Sequence, residues 1–282
     1  MISLLFLISF PFAVAGGQHR FSIKVFTSLD DQFWTNSVII EGEHEVMLVD
    51  AQLTRTNAER VLEKIKEAKK PLSIVYITHE HADHFLGLEV FKEAYPGARI
   101  IATSAVVDRI DKVYQEKINK WKKLLGTGAT SHAVAIEKFD GNFIEFESSK
   151  IEVLKNVQGD TDENTMLWIL GQRILISGDV VFNNMHVYTA ESDSKARGKW
   201  LNSLQKIREL KPSVVIPGHS KAGAPLDAST AVDFTENYLF AFEEELKKAQ
   251  DPDSLINAMK ERFPSADLVL AIERGAKANV KP

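Results

Sequence analysis

The sequence contains no cysteine. Disulfide bonds are therefore excluded, and so is every metal site that depends on thiolate ligands. Any metal ion bound by this chain must be held by histidine, aspartate or glutamate side chains.

Long runs of basic residues are also absent. The formal net charge is -5 at pH 7, and charged residues make up 26% of the chain. A nucleic-acid backbone is gripped by clustered lysine and arginine, so we expect no nucleic-acid partner. Polyanionic substrates are not expected for the same reason, and the export predicted below would favour a small diffusible substrate.

The N-terminus is the only strong shift in composition. Residues 1–15, MISLLFLISFPFAVA, are uncharged and end in Ala13-Val14-Ala15, a pattern typical of a signal-peptidase site. We predict export to the periplasm or the exterior, with no stable membrane anchor after cleavage. The alternatives are a buried first strand or a membrane anchor, but the run is short for a bilayer and Pro11 interrupts it.

The rest of the chain, residues 16–282, is predicted to form a single α/β domain with a helical C-terminal segment, because no low-complexity linker divides it and strand and helix patterns alternate. The periodicity predicts strands at 21–27, 72–78 and 142–155, a hairpin over 37–50, and strands over 166–176 that turn at Gly171-Gln172. It also predicts strands in ARIIA and SVVIP and a helix over Leu86–Ala94. It predicts helices that start with a capping box at Thr56 and Glu59, cover 105–125 and 198–210, and end the chain at 227–249 and 253–262.

One short stretch is crowded with metal-ligand side chains. It reads His79-Glu80-His81-Ala82-Asp83-His84 and follows LSIVYIT, an apolar run suited to a buried strand. Side chains two apart in extended backbone project the same way, so His79 and His81 could share one cation. Core packing gives no reason for such a cluster.

The stretch THEHADH resembles the HxHxDH signature of the metallo-β-lactamase superfamily. Three further motifs are similar to that family: VMLVDA ending at Asp50, ISGDVVF with Asp179, and VVIPGHS with His219. The resemblance implies a four-layer αβ/βα sandwich with one or two metals at the sheet edge. It implies that His79 and His81 serve a first metal, that Asp83, His84 and His219 serve a second, and that Asp179 serves both. Asp50 would orient a ligand, or would only cap a turn.

The sequence departs from the family at Asp160. Relatives place a histidine in a Gly-His-Thr segment, whereas this chain has Gly159-Asp160-Thr161. Asp160 could be a carboxylate ligand, the first site could be weakened or empty, or a register shift could bring in Asp162 or Glu163. We favour Asp160 as a ligand, because carboxylate oxygen binds zinc at nearly the same distance as imidazole nitrogen. The added negative charge tilts the preference from zinc towards manganese or iron.

The resemblance implies a metal-dependent hydrolase in which two divalent ions, zinc first, generate a metal-bound hydroxide that attacks a carbonyl carbon. Asp83 is the expected proton carrier, and the substrate is expected to be a lactone, ester, thioester or β-lactam. The alternative is a non-hydrolytic or metal-depleted member of the fold that acts as a binding protein.

Four residues are candidates for substrate contacts. Phe33 and Trp34 lie in the loop SLDDQFWTN and could form an apolar wall, although ordinary core packing explains them equally well. His186 and Tyr188 follow Asp179 closely and could donate a hydrogen bond to the substrate oxygen. Trp121 on the long helix could face the cleft or pack in the core.

Overall fold

The computed structural model describes residues 20–29 and 32–280, so the predicted export signal at 1–15 lies outside the described residues. The described residues form eleven strands: β1 Ser22–Thr27, β2 Asn36–Glu41, β3 Val46–Val49, β4 Leu72–Tyr76, β5 Arg99–Ala102, β6 Glu137–Lys138, β7 Phe143–Phe146, β8 Ser149–Val157, β9 Asn164–Ile169, β10 Ile174–Asn183 and β11 Val214–Ser220. They also form eight α-helices: α1 Arg55–Glu67, α2 Ala82–Phe85, α3 Leu88–Ala94, α4 Ser104–Leu125, α5 Ser194–Leu210, α6 Ala228–Leu246, α7 Pro252–Arg262 and α8 Val269–Asn279.

The strands make two sheets. The first has the order β1-β2-β3-β4-β5-β6, antiparallel from β1 to β3 and parallel from β3 to β6. The second has the order β11-β10-β9-β8-β7, antiparallel except for the parallel pair of β10 with β11. In each sheet, parallel strands therefore bring their carboxyl ends to one edge.

Three buried clusters define the layers. One lies between the sheets and contains β-branched and aromatic residues from both, such as Ile40, Tyr76 and Ile176. A second joins the first sheet to α1, α3 and α4, and a third joins the second sheet to α5, α6, α7 and α8. The order helix, sheet, sheet, helix confirms the predicted four-layer sandwich.

The start of α1 differs from the prediction. Its N-cap is Thr54, whose side chain accepts a hydrogen bond from the Asn57 backbone nitrogen, so the capping box predicted at Thr56 and Glu59 is wrong by two residues. The amphipathic face was identified correctly, since Ala58 and Val61 are buried against the first sheet. The helix therefore covers the sheet as its apolar spacing requires.

Other helix ends follow local sequence signals. Asp193 caps α5 by accepting from the Ala196 nitrogen, so α5 begins at Ser194, earlier than the predicted position 198. Gly126 ends α4 as predicted, with a positive φ of 59° that a non-glycine residue rarely adopts. Helix α8 was not predicted, because it starts without a side-chain cap after Leu268, which has the left-handed backbone conformation.

Among residues 20–29 and 32–280, no helix combines the length and the apolar character that crossing a bilayer would require.

Candidate metal centre

The carboxyl ends of the parallel strands from both sheets meet at one place. Asp50 follows β3, the histidine stretch follows β4, and Asp179 and His219 lie in β10 and β11. An isolated bridge pairs Thr35, just before β2, with His219, which joins the two sheets there. All seven predicted metal ligands come together at this junction.

The first group consists of His79, His81, Asp160 and Asp179. His81 Nδ1 lies 2.8 Å from Asp160 Oδ2. His79 Nε2 lies 4.0 Å from Asp160 Oδ2 and 3.6 Å from Asp179 Oδ2. Their candidate ligand atoms all lie within 4.8 Å of one another.

The second group consists of Asp83, His84 and His219. Asp83 Oδ2 lies 3.7 Å from His84 Nε2 and 3.6 Å from His219 Nε2. Asp179 reaches this group as well, because its Oδ1 is 3.3 Å from His84 Nε2 and its Oδ2 is 3.0 Å from His219 Nε2. Asp179 therefore lies between the two groups and close to both.

Several buried nitrogen and oxygen atoms of the cluster suit metal ions in both their spacing and their lack of hydrogen-bond partners among the described residues. His79 Nε2, His84 Nε2, Asp160 Oδ2 and Asp179 Oδ1 are buried and make no well-directed hydrogen bond in the described chain. Buried polar atoms are normally satisfied, so four unsatisfied atoms pointing at one place need a partner. Two ligands of a tetrahedral zinc ion, each about 2.1 Å from the metal, are about 3.4 Å apart, which matches the spacing of this cluster.

Three of the histidines are oriented by buried acceptors. His84 Nδ1 donates to Asp50 Oδ2 at 2.8 Å, and His219 Nδ1 donates to the Phe33 carbonyl at 2.7 Å. These bonds leave Nε2 of each ring free to face the cluster, the usual arrangement for metal-bound histidine.

His79 is oriented through Thr78. The Thr78 hydroxyl donates to Asp50 Oδ2 at 2.8 Å, so its oxygen is free to accept from His79 Nδ1 at 3.0 Å. The Thr78 backbone nitrogen also donates to Asp50 Oδ1 at 2.9 Å. Asp50 thus supports two histidines and the loop, in agreement with an orienting role.

Ionic pairing with the histidines offsets the burial of the carboxylates. Burial alone would raise the pKa of Asp179, but His219, His84 and His79 lower this pKa well below its usual value. Burial likewise opposes protonation of His84, yet Asp179, Asp50 and Asp83 raise the pKa of His84 well above its usual value. The carboxylates and the imidazoles of the cluster thus stabilise each other's charged forms.

His79 and His81 behave oppositely. Burial and the neighbouring His84 lower the pKa of His79 well below its usual value, so its Nε2 keeps a lone pair. Burial would do the same to His81, but Asp160 and Glu191 raise the pKa of His81 well above its usual value. Burial raises the pKa of Asp160 to about 6, against the opposing effect of His81.

The loop after β8 directs Asp160 inwards. Its Oδ1 accepts from the Thr161 nitrogen at 2.8 Å and from Asn164 Nδ2 at 3.0 Å, so only Oδ2 faces the histidines. Asp162 points outwards, with a half-exposed side chain paired to Arg109. The observed register thus favours Asp160 over Asp162 as the residue facing the first group.

The predicted substrate contacts divide into two sets. Phe33 and Trp34 are partly buried, and both have positive φ, 72° and 55°. The Phe33 ring packs on the edge of Trp121 with centroids 5.8 Å apart, so Trp121 contributes to the helix-side core. Tyr188 is partly buried and its ring lies 5.3 Å from the His81 ring, at the mouth of the cluster.

His186 lies elsewhere. Its side chain is 1% exposed, and Nδ1 is 2.9 Å from the hydroxyl of Tyr238 on α6. The structure therefore places His186 in the packing against the C-terminal helices, where it has no surface to offer a substrate.

Several residues that contact the ligands of the centre were not predicted from the sequence. Thr35 donates from Oγ1 to Asp83 Oδ2 at 2.8 Å, and Glu191 Oε1 lies 3.2 Å from His81 Nε2. Lys117 on α4 donates to the Glu80 carbonyl, and its pKa is lowered by burial. Only Thr78 carried a local signal, since it is a polar residue at the end of a buried strand beside His79.

A third group of potential metal ligands, Glu89, Glu93 and His132, lies apart from the centre, and its proximity has a structural cause. The buried Glu89 carboxylate accepts from the nitrogen and hydroxyl of Ser131, both at 2.8 Å, and pairs with Arg55 at 2.9 Å. Its partners are therefore already within the protein, and it ties α3 to α1 and to the segment after α4.

Comparison with known proteins agrees with this geometry. Residues 31–219 match the family model of the metallo-beta-lactamase superfamily, so the chain belongs to that superfamily. It is a metallo-hydrolase of this class, with a candidate divalent-metal site made of histidine and aspartate.

Individual relatives are distant. A metallo-beta-lactamase type 2 from Bacillus sp. (strain 170) is 22% identical over 193 residues, 67% of this chain and 68% of the relative. A hydroxyacylglutathione hydrolase from Haemophilus ducreyi is 24% identical over 191 residues, 67% of this chain and 66% of the relative. The structure of a metallo-beta-lactamase family protein from Thermus thermophilus matches with a TM-score of 0.63 at 19% identity, covering 89% and 91% of the two chains.

Proposed function

We propose that this protein hydrolyses a small carbonyl substrate, namely a lactone, ester, thioester or β-lactam, with two divalent ions held at the junction of the sheets. The observation that carries the proposal is the set of four buried, unsatisfied atoms of His79, His84, Asp160 and Asp179 that converge there. The names of the relatives, metallo-beta-lactamase and hydroxyacylglutathione hydrolase, denote hydrolysis at an acyl carbon.

His79, His81 and Asp160 would hold the first ion, Asp83, His84 and His219 the second, and Asp179 both. When bound, such a pair of ions makes water a nucleophile near neutral pH and polarises the carbonyl group. Zinc is our first choice, and the three carboxylates make manganese or iron the alternatives.

Asp83 is the proposed proton carrier. Its Oδ2 is fixed by the Thr35 hydroxyl at 2.8 Å and its side chain is 13% exposed, so it reaches the cluster and also the solvent-facing side. Burial would raise the pKa of Asp83, but His84 and His219 lower it below its usual value. At neutral pH it is a carboxylate, ready to accept a proton from water and to pass it to the leaving group.

The mouth of the cluster would contact the rest of the substrate. The Phe33 ring, supported by Trp121, and Trp34 would offer an apolar wall. Tyr188 stays protonated because burial raises its pKa to about 12, and its hydroxyl donates to Glu191 Oε1 at 3.4 Å, so its ring would contact the substrate beside His81.

A phosphodiester is a poor fit for this site. The cations nearest the histidine stretch are already engaged: Arg109 pairs with Glu80 and Asp162, and the Lys117 ammonium donates to the Glu80 carbonyl. Phosphoryl transfer needs positive groups free to hold the phosphate oxygens, so we expect carbonyl substrates to be preferred.

The test is a substrate panel combined with metal analysis. Homoserine lactones, aryl esters, thioesters, β-lactams and phosphodiesters are assayed with the purified protein, after chelation, and after return of zinc or manganese. We expect at least one carbonyl substrate to be cleaved, the activity to disappear on chelation, and the His79→Ala variant to be inactive. His44→Ala is the matched control, because that imidazole is 79% exposed on the hairpin after β2.

Two results would contradict the proposal. Full activity in metal-free protein would exclude metal-dependent chemistry, and a preference for phosphodiesters would exclude the substrate class. Fewer than about one ion per chain after loading with zinc or manganese would instead support the metal-depleted binding protein.

A further inference from the structure

Each histidine of the metal centre has one ring nitrogen facing the cluster and the other facing outwards. Three of them present Nε2 to the cluster and donate Nδ1–H to Thr78, Asp50 or the Phe33 carbonyl. The acceptor groups are buried or belong to the backbone, so these three rings have one fixed orientation.

His81 is arranged the other way round. Its Nδ1 faces the cluster, 2.8 Å from Asp160 Oδ2, and its Nε2 faces outwards, 3.2 Å from Glu191 Oε1. A histidine that offers Nδ1 to a metal must carry its proton on Nε2, and that N–H needs an acceptor. In the described chain the acceptor beside this nitrogen is Glu191.

We propose that Glu191 is the positioning residue of the first metal site and that it acts by holding His81 with Nδ1 directed at the ion. This inference rests on the proposed function and adds a residue to it. Glu191 does not touch the ion itself. It fixes the ring that does.

The segment around Glu191 is built to hold this position. Ser192 donates from its nitrogen and its hydroxyl to the Thr189 carbonyl, both at 3.3 Å, which closes a turn around Glu191. Asn279 at the end of α8 donates to the same carbonyl at 2.9 Å. The Tyr188 hydroxyl donates to Glu191 Oε1 at 3.4 Å, so the carboxylate receives hydrogen bonds from two aromatic rings.

Glu191 is more exposed to solvent than the acceptors that orient the other three histidines. Its side chain is 50% exposed, whereas Asp50 is 4% exposed. It also lines an open groove of about 530 Å³ together with Asp162, Lys195 and Lys199. Because solvent weakens the bond, the loss on removing Glu191 should fall at the low end of the 10- to 100-fold range typical of residues that support metal ligands.

The experiment measures zinc affinity at both sites by competition with a chromophoric chelator, together with zinc content per chain. The variants are Glu191→Ala, Glu191→Gln and the control Glu63→Ala. Glu63 is an exposed glutamate on α1, so its substitution removes the same charge outside the site. Glu191→Ala and His81→Ala are also combined, so that the effect of Glu191 can be measured without His81.

We expect Glu191→Ala to weaken the first site about tenfold and to leave the second site unchanged. Glu191→Gln should lose less, because the amide oxygen accepts the same hydrogen bond. Glu63→Ala should bind zinc like wild type. In the His81→Ala background, removal of Glu191 should have no further effect, which a general destabilisation of the fold would not reproduce.

Two outcomes would overturn the inference alone: wild-type affinity in Glu191→Ala, or an equal loss with and without His81. Absence of zinc binding in the wild-type protein would overturn the proposed function and this inference with it. Zinc binding by the wild-type protein therefore distinguishes failure of this inference from failure of the proposed function.

Discussion

Asp160 is the residue at which this chain leaves the usual pattern of its superfamily, and Asp160→Asn tests its role directly. The substitution keeps the shape of the side chain and an Oδ1 able to accept from the Thr161 nitrogen and from Asn164. It removes the negative charge from the atom that faces His81 at 2.8 Å and His79 at 4.0 Å. The loop should therefore keep its structure while the site loses one charged ligand.

The size of the effect follows from the distances. An ion held by these side chains lies within about 4 Å of the carboxylate charge. Two unit charges about 4 Å apart interact by about 4 kcal/mol at an effective dielectric constant near 20, and by about 1 kcal/mol in bulk water. Because an effective dielectric constant of about 20 applies at buried sites as well, the larger figure is the relevant one. The neutral amide oxygen keeps part of the interaction, so we expect the affinity of the first site to fall by about a hundredfold, or about 3 kcal/mol.

The assay is a titration of zinc and manganese against a competing chelator, with metal content per chain. Asp162→Asn is the matched control, because it removes the same charge from the same loop where the carboxylate points outwards to Arg109. The second site should stay within about threefold of wild type in both variants, being held mainly by other residues. Equal affinity of the first site in all three proteins, or an equal loss in both variants, would refute Asp160 as a ligand.

Asp160→His extends the same test. The imidazole restores the nitrogen ligand that relatives place here and removes one negative charge, so the ions should lower the pKa of bound water further. We expect a stronger preference for zinc over manganese and a pH–rate profile that rises at lower pH. The gain is opposed by the loss of the Oδ1 contacts to Thr161 and Asn164, and a parallel measurement of thermal stability separates the two effects.

Three other predictions concern different parts of the chain. In Gly218→Ala the new Cβ would lie 1.8 Å from Asp179 Oδ1, so activity should fall about a hundredfold, whereas the control Gly198→Ala meets nothing within 4 Å and should keep full activity. Burial, followed by the charge of Lys260, lowers the pKa of His186 from 6.5 to about 4, so its contribution to stability is complete above pH 6.5 and is lost as the pH falls towards 4. Urea unfolding should show this loss, up to about 3 kcal/mol, in wild type and a flatter pH dependence in His186→Gln; identical slopes would exclude it. N-terminal sequencing of the exported protein should begin near Gly16, and a sequence that still starts at Met1 would return residues 1–15 to the fold.

The sequence was sufficient for the fold and for the position of the metal centre. Asp50 and the histidine stretch follow a parallel pair of strands in the first sheet, and Asp179 and His219 lie in the parallel pair of the second sheet. Asp50, Asp179 and His219 were assigned to the site of the histidine stretch through the resemblance of their motifs to those of the superfamily, and the structure places them beside that stretch. Apolar spacing predicted the faces of α1 and α4, since a helix must bury its apolar side.

The contacts that orient the ligands could not be predicted in this way. Glu191 is 110 residues from His81 in the chain, and Thr35 is 48 residues from Asp83. Neither belongs to a motif with spacing of its own. Glu191 reaches the centre because the second sheet and its helices pack against the first sheet, whereas Thr35 reaches Asp83 through strand pairing within the first sheet. His186 shows the opposite error. It is close to Asp179 in the sequence, which suggested a place at the site, but its ring is buried against α6.

The charge of the centre explains why these contacts are needed. Three carboxylates, Asp83, Asp160 and Asp179, are packed beside apolar layers, with the Phe182 ring stacked at 5.2 Å on His219. Carboxylates in such surroundings are costly unless positive charge lies beside them. Protons on histidine can supply that charge only by occupying the nitrogen atoms that face the cluster. Under the proposed function, divalent ions would supply it while using the same nitrogens as ligands, and the acceptors outside the rings would support that state.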